Sequence, residues 1–171
     1  DVLNVYNESN KALQTLFLKD EMINYKSVIN SNINYEEIKE NNLLILSDLN
    51  KISSGLMHSI EAFVKEGGSL IIFPHEKIDS ESYYQLTSLL KMDSYTAIDT
   101  NSQDVNTINY KHKVFEGVFE KEESKINLPK VYSYYKFSNK NNRIRQSILT
   151  LESGDDFIRH YNYFSGDIYQ F

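Results

Sequence analysis

A chain of 171 residues with 40% hydrophobic and 25% charged side chains is long enough to bury one core, too polar to be a membrane span and too apolar to be a disordered tail. Its 24 acidic residues against 18 basic ones give a formal charge of -6 without any Lys/Arg cluster, which excludes nucleic acid as a partner. Cysteine is absent, which removes disulfides, thiolate metal sites and a thiol nucleophile together.

In chain order, Asp1 to Tyr6 predicts a strand that ends at Asn7-Glu8-Ser9-Asn10, where Ser9 or Asn10 caps a helix with Leu13, Leu16 and Phe17 on its apolar face. Ile23 to Ile29 predicts a second strand and Tyr35 to Glu40 a short helix. The run Leu43-Leu44-Ile45-Leu46 is apolar on both faces, as strands inside a parallel sheet are. Ile52, Leu56, Ile60, Phe63 and Val64 then fall at helical spacing, with Ser53 or Ser54 as cap and Gly67-Gly68 as terminator. Ser69 to Phe73 is another buried strand, stopped by Pro74, and Tyr83, Leu86, Leu89 and Leu90 mark the inner face of a further helix. This alternation predicts an α/β domain: a mostly parallel central sheet with helices on both faces in three αβα layers.

The second half changes character. Extended runs at Tyr95 to Ile98, Val131 to Phe137, Ser147 to Leu151 and Phe157 to Phe164 predict antiparallel strands at the C-terminal edge of the sheet. The last of them is joined to Asp167 to Phe171 through Ser165-Gly166, and the polar stretch Ser138 to Asn142 predicts a surface loop. Both chain ends read as strands and no initiator Met is present, so the expectation is one domain, residues 1–171, excised from a longer polypeptide. No apolar run approaches the roughly 20 residues of a spanning helix, so any membrane attachment is expected through segments outside these residues.

Several segments together resemble a known family. They are Leu46-Ser47-Asp48-Leu49, Ile52-Ser53-Ser54-Gly55-Leu56, Gly67-Gly68-Ser69-Leu70, His112 to Phe119 and the closing Gly166-Asp167-Ile168-Tyr169. The stretch Asn42 to Pro74 resembles the central unit of class I glutamine amidotransferase-like domains, which are flavodoxin-like in build. The whole chain is similar to the soluble amidotransferase-like domain of bacterial membrane-anchored proteins of the BatA, or aerotolerance regulator, type. The resemblance implies a membrane-tethered cell-envelope role, with the domain on the periplasmic side, and partners among envelope proteins or other domains of the same chain. It also implies a nucleophile on the turn after a central strand, here Pro74-His75-Glu76. Without a thiol the glutaminase activity does not carry over, and a non-catalytic pseudoenzyme without cofactor is the expectation.

Doubly wound sheets bind ligands outside the carboxyl ends of their strands, which gathers Asn7, Glu8, Ser47, Asp48, His75 and Glu76 around one candidate crevice. A small polar or carbohydrate-related ligand held by Asp48 and His75 is one reading; ordinary loop and cap residues are the other. A hydrolase built on Ser47, His75 and Asp48 is disfavoured, because no Gly-x-Ser-x-Gly elbow is present. His58, His75, His112 and His160 show no metal-ligand spacing and are each expected as lone surface or interface histidines. Asp99, Asn101 and Gln103 imitate a calcium loop, but Asp104 and Tyr110 stand where its Gly and Glu belong. The aromatic clusters Tyr132, Tyr134, Tyr135, Phe137 and Tyr161, Tyr163, Phe164, Tyr169, Phe171 are expected mostly inside, under a helix or paired across strands, with the outward remainder available to a partner.

Overall fold

The computed structural model describes residues 1–8, 11–119, 128–139 and 144–171. Its centre is formed by the two most apolar runs. β3 (Leu43–Leu49) and β4 (Ser69–Pro74) lie parallel, with Leu44 opposite Leu70 and Leu46 opposite Ile72. β1 (Val2–Tyr6) pairs in parallel with β3, and β2 (Tyr25–Ile29) in parallel with β1. Parallel neighbours need crossovers rather than tight turns. These are α1 (Lys11–Phe17), a 3-10 turn at Tyr35–Glu40 and α2 (Ser54–Lys65); α3 (Ser80–Leu89) follows β4.

α2 forms where the periodicity places it. The Ser53 hydroxyl accepts from the Leu56 amide at the N-terminus, and Gly67, at φ 110°, turns the chain out at the other end. Leu56, Ile60, Phe63 and Val64 are buried against the sheet, each worth about 1.5–3 kcal/mol of burial. The amphipathic reading of α1 fails, however. None of its residues is buried and Leu16 is 66% exposed: the helix is only seven residues long, its start borders the ends of β3 and β4, and Phe17 stacks on Tyr25 of β2 at 5.0 Å. Its expected cap at Ser9 or Asn10 lies outside the described residues.

The remaining strands are β5 (Tyr95–Asp99), β6 (Gln103–Ile108), β7 (Lys130–Val131), β8 (Tyr134–Phe137), β9 (Arg145–Leu151), β10 (Asp156–Tyr163) and β11 (Gly166–Gln170). The large sheet has nine strands in the order β2-β1-β3-β4-β11-β10-β9-β6-β7, while β5 and β8 form a separate two-stranded ribbon. This corrects the expectation of a mostly parallel, three-layer αβα domain, while the antiparallel strands expected toward one edge are present. The sheet is mixed and strand-rich, parallel from β2 through β11 and antiparallel from β11 through β7. The closing strand lies at the middle of the sheet, parallel to β4, and its hairpin with β10 reverses the direction. Gly166 permits that insertion: a Cβ there would sit 2.1 Å from the Val64 carbonyl oxygen and 2.5 Å from that of Gly68.

Alternation along the central strands sorts their side chains onto two faces. Leu3, Val5, Leu44, Leu46, Leu70, Ile72 and Ile168 share the face sealed by α2 and α3, each at 0% exposure. On the same face Arg159 of β10 reaches the buried Asp93 after α3: Nη1 donates to Oδ2 at 2.8 Å, and the Tyr161 hydroxyl donates to the same oxygen at 3.0 Å. Gln170 of β11 donates to the Asp93 carbonyl at 2.9 Å, so a polar clamp fastens the antiparallel half to the parallel half. The opposite face carries half-buried Leu43, Ile71, Phe73, Tyr169 and Phe171 beside the buried Ile45, and Val114 and Phe115 of the segment His112–Phe119 line a cavity with several of them.

Candidate functional site

The strand-end crevice exists, but the structure gathers only part of the expected set. Ser47 and Asp48 line a cavity of about 370 Å³ together with Lys11, Ala12, Leu13, Phe73 and Pro74. Asp48 holds φ at 58°, a left-handed conformation that Asp adopts more readily than most non-glycine residues, at the irregularity where β3 leaves its register with β4. Ser47 is buried and donates its hydroxyl to Asn4 Oδ1 at 2.6 Å, and Asn4 in turn donates to the Tyr25 hydroxyl at 3.0 Å. Asn7 donates to Asn50 at 3.0 Å across the same end of the sheet, and Glu8 is exposed.

His75 and Glu76 turn to other tasks. His75 Nδ1 accepts from the Lys77 amide at 2.8 Å, closing its own turn, and the Glu76 carbonyl accepts from the Tyr135 hydroxyl at 2.8 Å. Glu76 thereby lines a second cavity of about 340 Å³, walled by Phe73, Ile98, Tyr135, Phe157 and Phe171. Ser47 and His75 are thus engaged by different partners. The expected helix cover of Tyr135 and Phe137 is replaced by ring contacts to Tyr95 at 5.4 and 5.6 Å, while Tyr132 and Phe164 point outward at 73% and 65% exposure.

The reading of His112 and His160 as lone surface histidines is corrected. Both are buried, and they bond to each other, His112 Nε2 to His160 Nδ1, at 2.9 Å. His112 Nδ1 accepts from the Val114 amide at 3.2 Å, capping the 3-10 turn Lys113–Phe115, and His160 Nε2 meets Asp167 Oδ1 at 2.8 Å. An amide can only donate, so the proton of His112 sits on Nε2, that of His160 also on Nε2, and both rings are neutral. All four ring nitrogens are engaged, and among the described residues no group of three or more His, Asp or Glu is disposed to hold a metal ion.

Around this chain Lys113 Nζ contacts both Asp167 oxygens at 2.6 Å, Asn162 donates to Oδ1 at 2.8 Å, and Tyr169 stacks on His160 at 5.0 Å. Burial opposes ionisation of Asp167, but the bonds from Lys113 and His160 outweigh it and hold the carboxyl below its usual range. Burial, followed by the neighbouring His160 and Lys113, holds the His112 pKa below the ordinary imidazole value. Beside the pair lies the largest of these cavities, about 480 Å³, lined by Leu43, Ile71, Val114, Phe115, Tyr169 and Phe171 among others. The spacing of His112 and His160, 48 residues apart, carries no local signal for their pairing.

No protein-family model and no curated protein matches this chain. Solved structures do. A cytoplasmic protein of Salmonella typhimurium is similar at 14% identity over 99% of this chain and 86% of its own, with a TM-score of 0.70. A ThuA-like protein of Bacteroides uniformis is similar at 15% identity over 98% and 79%, with a TM-score of 0.65. A cold-adapted β-galactosidase of a Rahnella species is similar at 12% identity over 99% of this chain but 28% of its own, with a TM-score of 0.66. At these identities the likeness is one of fold: an α/β, amidotransferase-like fold of the ThuA-like kind. Among the described residues no helix is long and apolar enough to cross a membrane.

Proposed function

We propose that this chain is a non-catalytic interaction domain that docks, through the sparsely covered face of its sheet, against another domain of its own polypeptide or an envelope protein. The observation that carries the reading is the apolar cavity of about 480 Å³ between Leu43, Ile71, Tyr169 and Phe171, open on one face of a sheet whose other face is sealed. Two further facts support it. Ser47 and His75 are separately engaged, leaving no nucleophile bonded to a base there, and in the β-galactosidase a similar fold is one part of a longer chain. The membrane-anchored setting of aerotolerance-regulator type, on the periplasmic side, is the part of the proposal that rests on resemblance alone. A photo-crosslinking residue at Ile71 of the parent polypeptide should capture a second segment or an envelope protein, and one at Lys65 on the α2 side should not. Equal capture from both positions, or none from Ile71, would sink the reading.

A second reading is favoured by one observation, the left-handed backbone of Asp48 beside its cavity of about 370 Å³: a small polar or carbohydrate-related ligand at the strand ends. A thermal-shift screen of sugars and polar metabolites should then find a stabiliser that Asp48→Asn abolishes. A screen in which no compound raises the melting temperature removes this reading.

A further inference from the structure

The bonded chain from Val114 through His112 and His160 to Asp167 accommodates two neutral imidazoles and no additional proton. Each bond already has one donor and one acceptor: the Val114 amide to His112 Nδ1, His112 Nε2–H to His160 Nδ1, and His160 Nε2–H to Asp167. A second proton on His112 would place N–H against the Val114 N–H. A second proton on His160 would place N–H against the N–H of His112. Either way one bond, buried between the rings or partly buried at the Val114 amide, becomes a repulsive contact between donors, which costs more than losing a fully exposed bond does.

The element that gives way is defined by the same bonds. Residues His112 to Phe119 form a flap over the sheet, held by the His112 cap, by Lys113 on Asp167, and by Val114 and Phe115 against the apolar cavity. Among the described residues the flap's backbone bonds are short-range, from the His112 amide to the Asn109 carbonyl, the Phe115 amide to the His112 carbonyl, the Glu116 amide to the Lys113 carbonyl and the Val118 amide to the Phe115 carbonyl, and the Phe119 ring meets those of Tyr110 and Phe115. Charged and polar groups face the pair from three elements. From β10 come His160 and Asn162, from β11 Asp167 and Tyr169, and from the flap Lys113. With neutral rings, Lys113 is the countercharge of Asp167.

We propose that His112, His160 and Asp167 form a proton-operated latch: a proton taken up by the histidine pair releases the 112–119 flap and uncovers the apolar cavity on the open face of the sheet. The depressed His112 pKa agrees in sign. The latch's contribution to stability is complete above the ordinary histidine range and is lost as pH falls through the lowered folded value. The inference concerns the flap alone and stands whether or not a partner docks on the cavity.

Amide hydrogen exchange at Val114, Phe115 and Val118, corrected for intrinsic rates, tests it. Between about pH 7.5 and about pH 5.5 these amides should exchange about tenfold faster, while Leu44 and Ile72 in the central strands do not change. His112→Asn keeps a cap acceptor for the Val114 amide but cannot titrate, so its flap should lose that pH response. Unchanged protection in the wild type, or the same acceleration in His112→Asn, overturns the latch. Should His112→Asn fail to fold, nitrogen chemical shifts of the wild-type imidazoles decide. Both rings protonated only on Nε2 at about pH 7.5 is the expected result, and an imidazolium beneath a still-protected flap refutes the proposal.

Discussion

The two faces of the central sheet are built from alternate residues of the same strands, yet they are held by different means. On the helix-covered face Leu44, Leu46, Leu70, Ile72 and Ile168 reach 0% exposure, and Arg159, Asp93, Tyr161 and Gln170 join the two halves of the sheet beneath α3. On the other face Ile45 is buried but Ile71, Tyr169 and Phe171 stay half-buried, and polar chains run beside them: Tyr25, Asn4 and Ser47 at one place, His112, His160 and Asp167 at another. The covered face therefore stores most of the stability. The open face keeps apolar surface available and regulates access to it with groups that titrate.

Four substitutions test that division. The largest loss is expected for Asp93→Ala, which leaves Arg159 buried at 5% side-chain exposure without its principal partner; about 3–5 kcal/mol should disappear in urea unfolding. A loss below about 1 kcal/mol would mean that Asp156 and Asn139 alone can hold that guanidinium. Next come neighbours on β4. Leu70→Ala should cost about 2–5 kcal/mol and Ile71→Ala about 1 kcal/mol, since only the first empties a sealed site. Equal losses would show that the open face is as tightly packed as the covered one. The smallest effect is expected for His75→Ala, within about 0.5 kcal/mol by thermal unfolding, because its ring closes only a local turn to Lys77. A larger loss would make the turn after β4 part of the core.

The parallel half was legible because its signals are local. Continuous apolar runs marked β3 and β4, and helical spacing behind Ser53 marked α2. β6 escaped notice because Gln103-Asp104-Val105-Asn106-Thr107-Ile108 buries only Val105 in the sheet, and the run Val131 to Phe137 proved to be two strands serving different sheets. Strand order is not local either: nothing in Gly166–Gln170 says that it belongs beside β4 rather than at an edge. Of the candidate crevice, Ser47 and Asp48 were legible from their position after an apolar strand. The bond that takes up the Ser47 hydroxyl comes from Asn4, 43 residues away, and the histidine pair spans 48. Such pairings follow from topology, so a mixed sheet hides them.

The central position of β11 shapes how the domain assembles. Until Gly166–Gln170 arrives, β4 is an open edge of aliphatic residues, Leu70, Ile71 and Ile72, with unpaired amides and carbonyls. Its partner must close a loop of roughly a hundred residues, an entropic cost that grows only slowly with length but falls due before any contact across the seam repays it. A nascent chain therefore exposes this flank of β4 until β11 has emerged, and any truncation that removes β11 leaves that flank exposed permanently. Such a truncation should yield aggregated protein rather than a smaller folded domain.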